Sequence, residues 1–93
     1  MTTPNAVFRA LADPTRREIL ALLRDGPMTS GDIAERFPVA WATISRHLGI
    51  LRDADLVLST RDGNAINYEV NTTVFHDFVD HVMGLLNTGD NHA

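Results

Sequence analysis

Val7, Phe8 and Leu11 recur at helical spacing and predict a short first helix over Ala6–Ala12. Asp13-Pro14 then restarts the chain, because Asp is a strong N-cap and Pro at the first helical position loses no needed hydrogen bond. The second helix runs to about Arg24 with Ile19, Leu20, Leu22 and Leu23 inward, and Asp25-Gly26-Pro27 ends it. Thr29 opens a third, with Asp32 completing a shortened capping box. Ile33, Ala34 and Phe37 face inward there, and Pro38 stops it. A fourth helix covers Ala40–Ala54, with Ile44, Leu48 and Leu51 on its apolar face and His47 beside them as a hydrogen-bonded core histidine. The period then changes from helical to alternating. Leu56–Arg61 and Ala65–Asn71 read as strands joined by the turn Asp62-Gly63-Asn64. Asn71 or Thr72 caps a last helix to about Leu86, and 88–93 read as a flexible tail.

The pattern predicts a mostly α fold with a two-stranded β-hairpin, in one domain over residues 1–93. The third and fourth helices lie only a few residues apart, which suits a helix-turn-helix over 29–54. A two-stranded hairpin is marginal alone and must lean on the helices. The last helix is apolar at Val74, Phe75, Phe78, Val79, Val82, Met83, Leu85 and Leu86, wider than the stripe needed to sit on one small domain. A second subunit is the expected cover for that surplus, the alternative being a helix buried deeply in its own subunit.

Composition narrows the function. The chain has 93 residues and no cysteine, so disulfides, cysteine metal sites and thiol switches are excluded. Apolar residues make up 44% and charged residues 22%, near the globular norm. The longest aliphatic run is Ile19–Leu23, far short of a membrane span, and no secretory signal is visible, so a cytoplasmic protein is expected. The net charge of −4 is unevenly spread. All eight basic residues are Arg within 1–61, against seven acids; residues 62–93 carry five acids and no base. Binding to DNA depends on the field at the contact face rather than on the total.

Phe8-Arg9-Ala10-Leu11-Ala12-Asp13-Pro14-Thr15-Arg16-Arg17-Glu18-Ile19-Leu20 resembles the opening signature of the ArsR/SmtB family of winged helix-turn-helix repressors. Thr43-Ile44-Ser45-Arg46-His47-Leu48-Gly49-Ile50-Leu51-Arg52, followed by Ala54-Asp55-Leu56-Val57, is similar to its recognition helix and the entry to its wing. Asp62-Gly63-Asn64 through Tyr68-Glu69-Val70-Asn71 looks like the wing. The closing Asn71-Thr72-Thr73-Val74 and Asn87-Thr88-Gly89-Asp90-Asn91 look like the compact, metal-free SdpR-type subgroup. The resemblance implies a homodimeric repressor that binds an inverted repeat in double-stranded DNA and needs no cofactor. It implies dimerisation through helices 5–12 and 72–87, with Val7, Phe8, Leu11, Phe75, Phe78, Val79, Val82, Met83 and Leu86 at the interface, and a wing over 56–71. Family recognition helices usually open with Ser or Gln, whereas this one opens Ala40-Trp41-Ala42. The position before the wing, commonly Gly, is Asp55.

At about 100° per residue, Ala42, Arg46 and Gly49 fall opposite the buried face of the fourth helix, with Ser45 on its flank. Arg46 has the fork geometry to read guanine, and Ser45 can meet a base or a phosphate. Trp41 and Thr43 stand at the start of the helix, and the Trp41 ring either meets a thymine methyl or a sugar or packs against Pro38 or the hairpin. Arg52 and Arg61 are candidates for phosphate contacts, and Asn64 and Asn67 at the wing for the minor groove or the backbone. Arg16 and Arg17 read as structural caps or partners of Glu18.

Two other classes stay open. One is a zinc-responsive repressor with a degenerate site on the last helix, where His76/Asp80 and Asp77/His81 are each spaced to share a helix face. His92 lacks a partner carboxylate beyond it, so the bland reading is solvated Asp–His pairs. The other is a dimeric protein-interaction module that has lost DNA binding. An enzyme is not expected: no Gly-rich phosphate loop is present, and Ser45 and His47 point to opposite sides of one helix. The inducer is not encoded in any recognisable motif.

Overall fold

The computed structural model describes residues 3–87; the expected tail, 88–93, and His92 lie outside the described residues. Helix α1 (Pro4–Leu11) begins earlier than its apolar spacing suggests. The Thr3 hydroxyl accepts from the Ala6 N–H at 3.2 Å, and Pro4 supplies a preset backbone angle at the first helical position. Helix α2 (Pro14–Leu23) is capped by Asp13, whose Oδ2 accepts from the N–H groups of Thr15 at 2.8 Å and Arg16 at 3.2 Å. Its end turns through Gly26 at φ +141°, a left-sided conformation that favours glycine.

A two-residue strand β1 (Met28–Thr29) follows, which alternation could not reveal at that length. Thr29 also caps helix α3 (Ser30–Glu35), its hydroxyl accepting from Asp32 N–H at 3.1 Å. Helix α4 (Trp41–Asp53) is preceded by Ala40, which offers no side-chain cap. Strands β2 (Val57–Asp62) and β3 (Ala65–Val70) form the hairpin, and β1 pairs with the far edge of β3. The sheet is therefore three-stranded and antiparallel, in the order β1-β3-β2. Tyr68 lies opposite Met28 on one side and Ser59 on the other. This is how the hairpin gains the support it lacks alone: the chain entering α3 fastens its inner strand.

Asp55 takes the left-handed conformation at φ 58°. Its N–H reaches Arg52 C=O at 2.9 Å, and Leu56 N–H reaches Leu51 C=O at 3.0 Å. That pair of bonds is a Schellman termination of α4, with buried Leu51 and Leu56 as its hydrophobic partners. Leu56 lies just before β2, and its carbonyl accepts from Asn71 N–H at 2.9 Å, pinning both ends of the hairpin at the base of α4. Asn71 Oδ1 then accepts from Val74 N–H at the start of helix α5 (Thr72–Asn87).

The core joins Val7 and Ala10 of α1, Ile19, Leu20 and Leu23 of α2, Ile33 and Ala34 of α3, Ile44, Leu48 and Leu51 of α4, and Val57 and Tyr68 of the sheet. Leu22 and Phe37, expected inside, are only half-buried. Helix α5 contributes no buried residue. It meets α1 through an edge-to-face pair of Phe8 and Phe78, ring centres 4.9 Å apart. The radius of gyration, 15.0 Å, exceeds the roughly 12 Å of a closely packed chain of this length, as a projecting α5 requires.

Candidate nucleic-acid interface

Three aliphatic side chains bury one side of α4, which leaves the opposite side in solvent. Ala42, Thr43, Ser45 and Arg46 are exposed there, and Gly49 is half-buried. Arg46 makes no ion pair or hydrogen bond among the described residues, so its guanidinium can turn to a ligand without breaking an internal contact. Trp41 is 61% exposed. One edge of its ring lies over Gly31 in the first turn of α3, where an added Cβ would stand 3.5 Å from the ring. Trp41 therefore packs on the start of α3 and still keeps more than half of its surface in solvent. With no side-chain cap at Ala40, the N–H groups of Trp41 and Ala42 have no acceptor among the described residues and stand open to an outside one, while Thr43 N–H donates to Ala40 C=O at 3.0 Å.

The remaining expected contacts are spread around this face. Arg52 ends α4 in a solvent-exposed pair with Asp53 at 3.7 Å, an interaction weak enough to exchange for a phosphate. Arg61 and Asn64 are exposed at the hairpin tip. Asn67 is not brought to the tip: it sits on the central strand, half-buried between Thr29 and Thr60. Arg16 and Arg17 serve as caps and not as partners of Glu18. Arg17 donates to Leu11 C=O at 2.7 Å, and Arg16 donates to Ala10 C=O at 2.6 Å and Arg9 C=O at 3.1 Å. Both satisfy the open carbonyls at the end of α1, where a cation also suits the helix dipole.

The expected dimer residues separate into three groups. Val7 is not available to a partner, because the packing of α1 on α2 places it in the core of its own subunit. Leu11 and Phe75 line an apolar cleft of about 550 Å³ between α2 and the start of α5. Phe8, Val79, Met83 and Leu86 are exposed; Phe78 and Val82 are half-buried. Leu85, 61% exposed, belongs with them, although it is not among the expected interface residues.

His76, Asp77, Asp80 and His81 are all exposed on α5. Among the described residues no group of three or more His, Asp or Glu side chains is placed to hold a metal ion. No helix among them is long and apolar enough to cross a membrane.

Asp13 has a measurable consequence. Partial burial works to raise its carboxyl; the N–H groups of Arg16 and Thr15 and the charges of His47 and Arg16 outweigh this and hold it below the usual 3.8. A depressed folded-state value means its stabilisation is complete above the unfolded value and is lost as pH falls through the folded one. In a thermal series from about pH 7 to pH 2.5, wild type should melt above Asp13→Asn at neutral pH, and the gap should close below about pH 4. A gap that is constant with pH would remove the carboxylate charge from the explanation.

This geometry can be set beside known proteins. The helix-turn-helix domain family matches residues 11–60. The transcriptional repressor SdpR of Bacillus subtilis is 48% identical over 87 residues, covering 94% of this chain and 97% of that protein. The chain belongs to the ArsR family. An arsenical resistance operon repressor of Staphylococcus xylosus is 34% identical, covering 92% of this chain and 82% of that one. Among solved structures, an ArsR family transcriptional regulator superposes with a TM-score of 0.87 at 27% identity, covering 92% of this chain and 94% of its own. An ArsR-like regulator from Rhodococcus sp. RHA1 gives 0.85 at 29% identity, covering 96% and 84%. This ArsR-family chain is a winged helix-turn-helix DNA-binding regulator and not an enzyme.

Proposed function

We propose that the protein acts in the cytoplasm as a homodimeric repressor that occupies an inverted-repeat operator. In this reading residues 29–54 are the reading unit, the hairpin within 56–71 is the wing, and the helices within 5–12 and 72–87 hold two copies together. Ser45 and Arg46 meet base edges, Ala42 and Gly49 let the backbone approach, and Thr43, Arg52, Arg61 and Asn64 hold phosphates. The observation that carries it is the outer face of α4, where a guanidinium with no partner among the described residues stands among small side chains beside a helix start without a side-chain cap. The apolar face of α5 supports the second copy, since nothing among the described residues of the same subunit covers Val79, Met83, Leu85 or Leu86. The half-sites of a two-fold dimer lie about one helical turn apart.

The experiment is selection from a random duplex library at micromolar protein, followed by titration of the enriched duplex with random competitor at two salt concentrations. An enriched inverted repeat that survives competitor is the expected result, with a salt slope counting the neutralised phosphates. Trp41 is the single tryptophan, so its emission reports on the start of α4 directly. It should be quenched and shifted to the blue by the enriched duplex. Failure to enrich any duplex overturns the reading; unchanged emission on a bound duplex removes Trp41 from the contact.

A further inference from the structure

The inner face of α4 carries one polar group in an otherwise aliphatic row. His47 is 7% exposed and is the one buried polar or charged residue among the described residues. Its Nδ1 lies 3.2 Å from a terminal nitrogen of Arg16. A guanidinium only donates, so Nδ1 accepts and the neutral ring carries its proton on Nε2. Nε2 faces the Asp13 carboxylate at 4.0 Å. The other two nitrogens of Arg16 hold the carbonyls of Arg9 and Ala10. One side chain thus ties the end of α1, the first turn of α2 and the inner face of α4.

We propose that Arg16 and His47 are positioning residues for DNA recognition, which fix the seat of α4 relative to α1. The inference rests on the function proposed above. The contacts of Ile44, Leu48 and Leu51 with the core are apolar, so they place α4 by shape alone and supply no polar anchor for its rotation or slide. The Arg16–His47 bond is directional and supplies that anchor. Ser45 and Arg46 directly precede His47, so a displacement at the ring is passed to the base-reading positions. Because α1 lies on the proposed dimer side, the same bond relates each reading helix to its copy. Asp13 holds the first turn of α2, and with it the backbone of Arg16, in register.

The test compares wild type with His47→Leu, which keeps bulk and removes the acceptor, and with His47→Asn, whose side chain places an acceptor near the Nδ1 position. Amide spectra of the free proteins report on α4 without DNA, and titrations use the duplex enriched by wild type and a random duplex. His47→Leu should fold and dimerise as wild type does and shift the amides of residues 41–46. It should bind the enriched duplex about tenfold more weakly and random duplex within about twofold of wild type. His47→Asn should recover most of the specific affinity. Unchanged specific affinity in His47→Leu, equal loss on both duplexes, or a loss that follows melting temperature alone would overturn the positioning role. Should wild type enrich no duplex, the proposed function fails separately; amide shifts confined to the immediate neighbours of residue 47 then overturn the positioning role by themselves.

Discussion

Replacing Arg46 with alanine should weaken binding to the enriched operator at least tenfold while leaving random duplex nearly unaffected. A bidentate arginine–guanine contact discriminates by about 1–3 kcal/mol, and a dimer makes it twice. Tenfold corresponds to about 1.4 kcal/mol, so with both half-sites reading a guanine the lower limit is met even at the low end of that range. The fold should not change, because the side chain is exposed and holds nothing else among the described residues. The competing role is a phosphate contact. In that case affinity falls equally on both duplexes, and the salt slope drops by about 0.9 for each phosphate no longer neutralised. Arg46→Lys separates the roles further. An ammonium keeps the charge but not the planar fork, so a base-reading site should lose most of its discrimination and a phosphate site should keep its affinity.

The parts of this molecule legible in the sequence are those decided by local chemistry. Asp13-Pro14 and Thr29 announce helix starts, and the hydrogen bonds are present at both. The alternation of Ile66, Tyr68 and Val70 announces a strand, and the period of Ile44, Leu48 and Leu51 announces which side of α4 is free. Asp55 in place of glycine still turns the chain, since Asp tolerates the left-handed region better than most residues. What stays hidden depends on distant pairing. Strand β1 exists only because Met28 and Thr29 lie beside Tyr68 and Asn67. The bond between Arg16 and His47 spans 31 positions, so no spacing rule reports it. Arg16 and Arg17 offer only a weak hint, a basic pair six positions past the carbonyls they cap. Val7 fails as an interface residue for a related reason. The apolar pattern of a short helix shows that one side is covered, not whether the cover is its own subunit or another.

Placing aspartate at both Val79 and Met83 should convert the protein to monomers and reduce operator affinity by at least about a hundredfold. These side chains are 52% and 47% exposed, so neither substitution puts a charge into the core of one subunit. In a two-fold dimer each substituted residue meets its copy or a neighbouring apolar side chain, and four added carboxylates would face one another in a desolvated seam. The DNA effect follows from linkage. Binding of the first half-site by a dimer presents the second copy at a high effective concentration, and a monomer loses that advantage entirely. A factor of roughly 10² to 10⁴ is the usual scale of such a loss, larger than deletion of any one base contact. Sedimentation gives the oligomeric state, and anisotropy on full-site and half-site duplexes gives the affinities. The substituted protein should bind both duplexes equally weakly, whereas wild type should strongly prefer the full site. A monomer that still prefers the full site would mean that the two copies meet through DNA or through another surface. A protein that remains dimeric would move the interface away from this face of α5, toward Phe8 and the cleft bordered by Leu11 and Phe75.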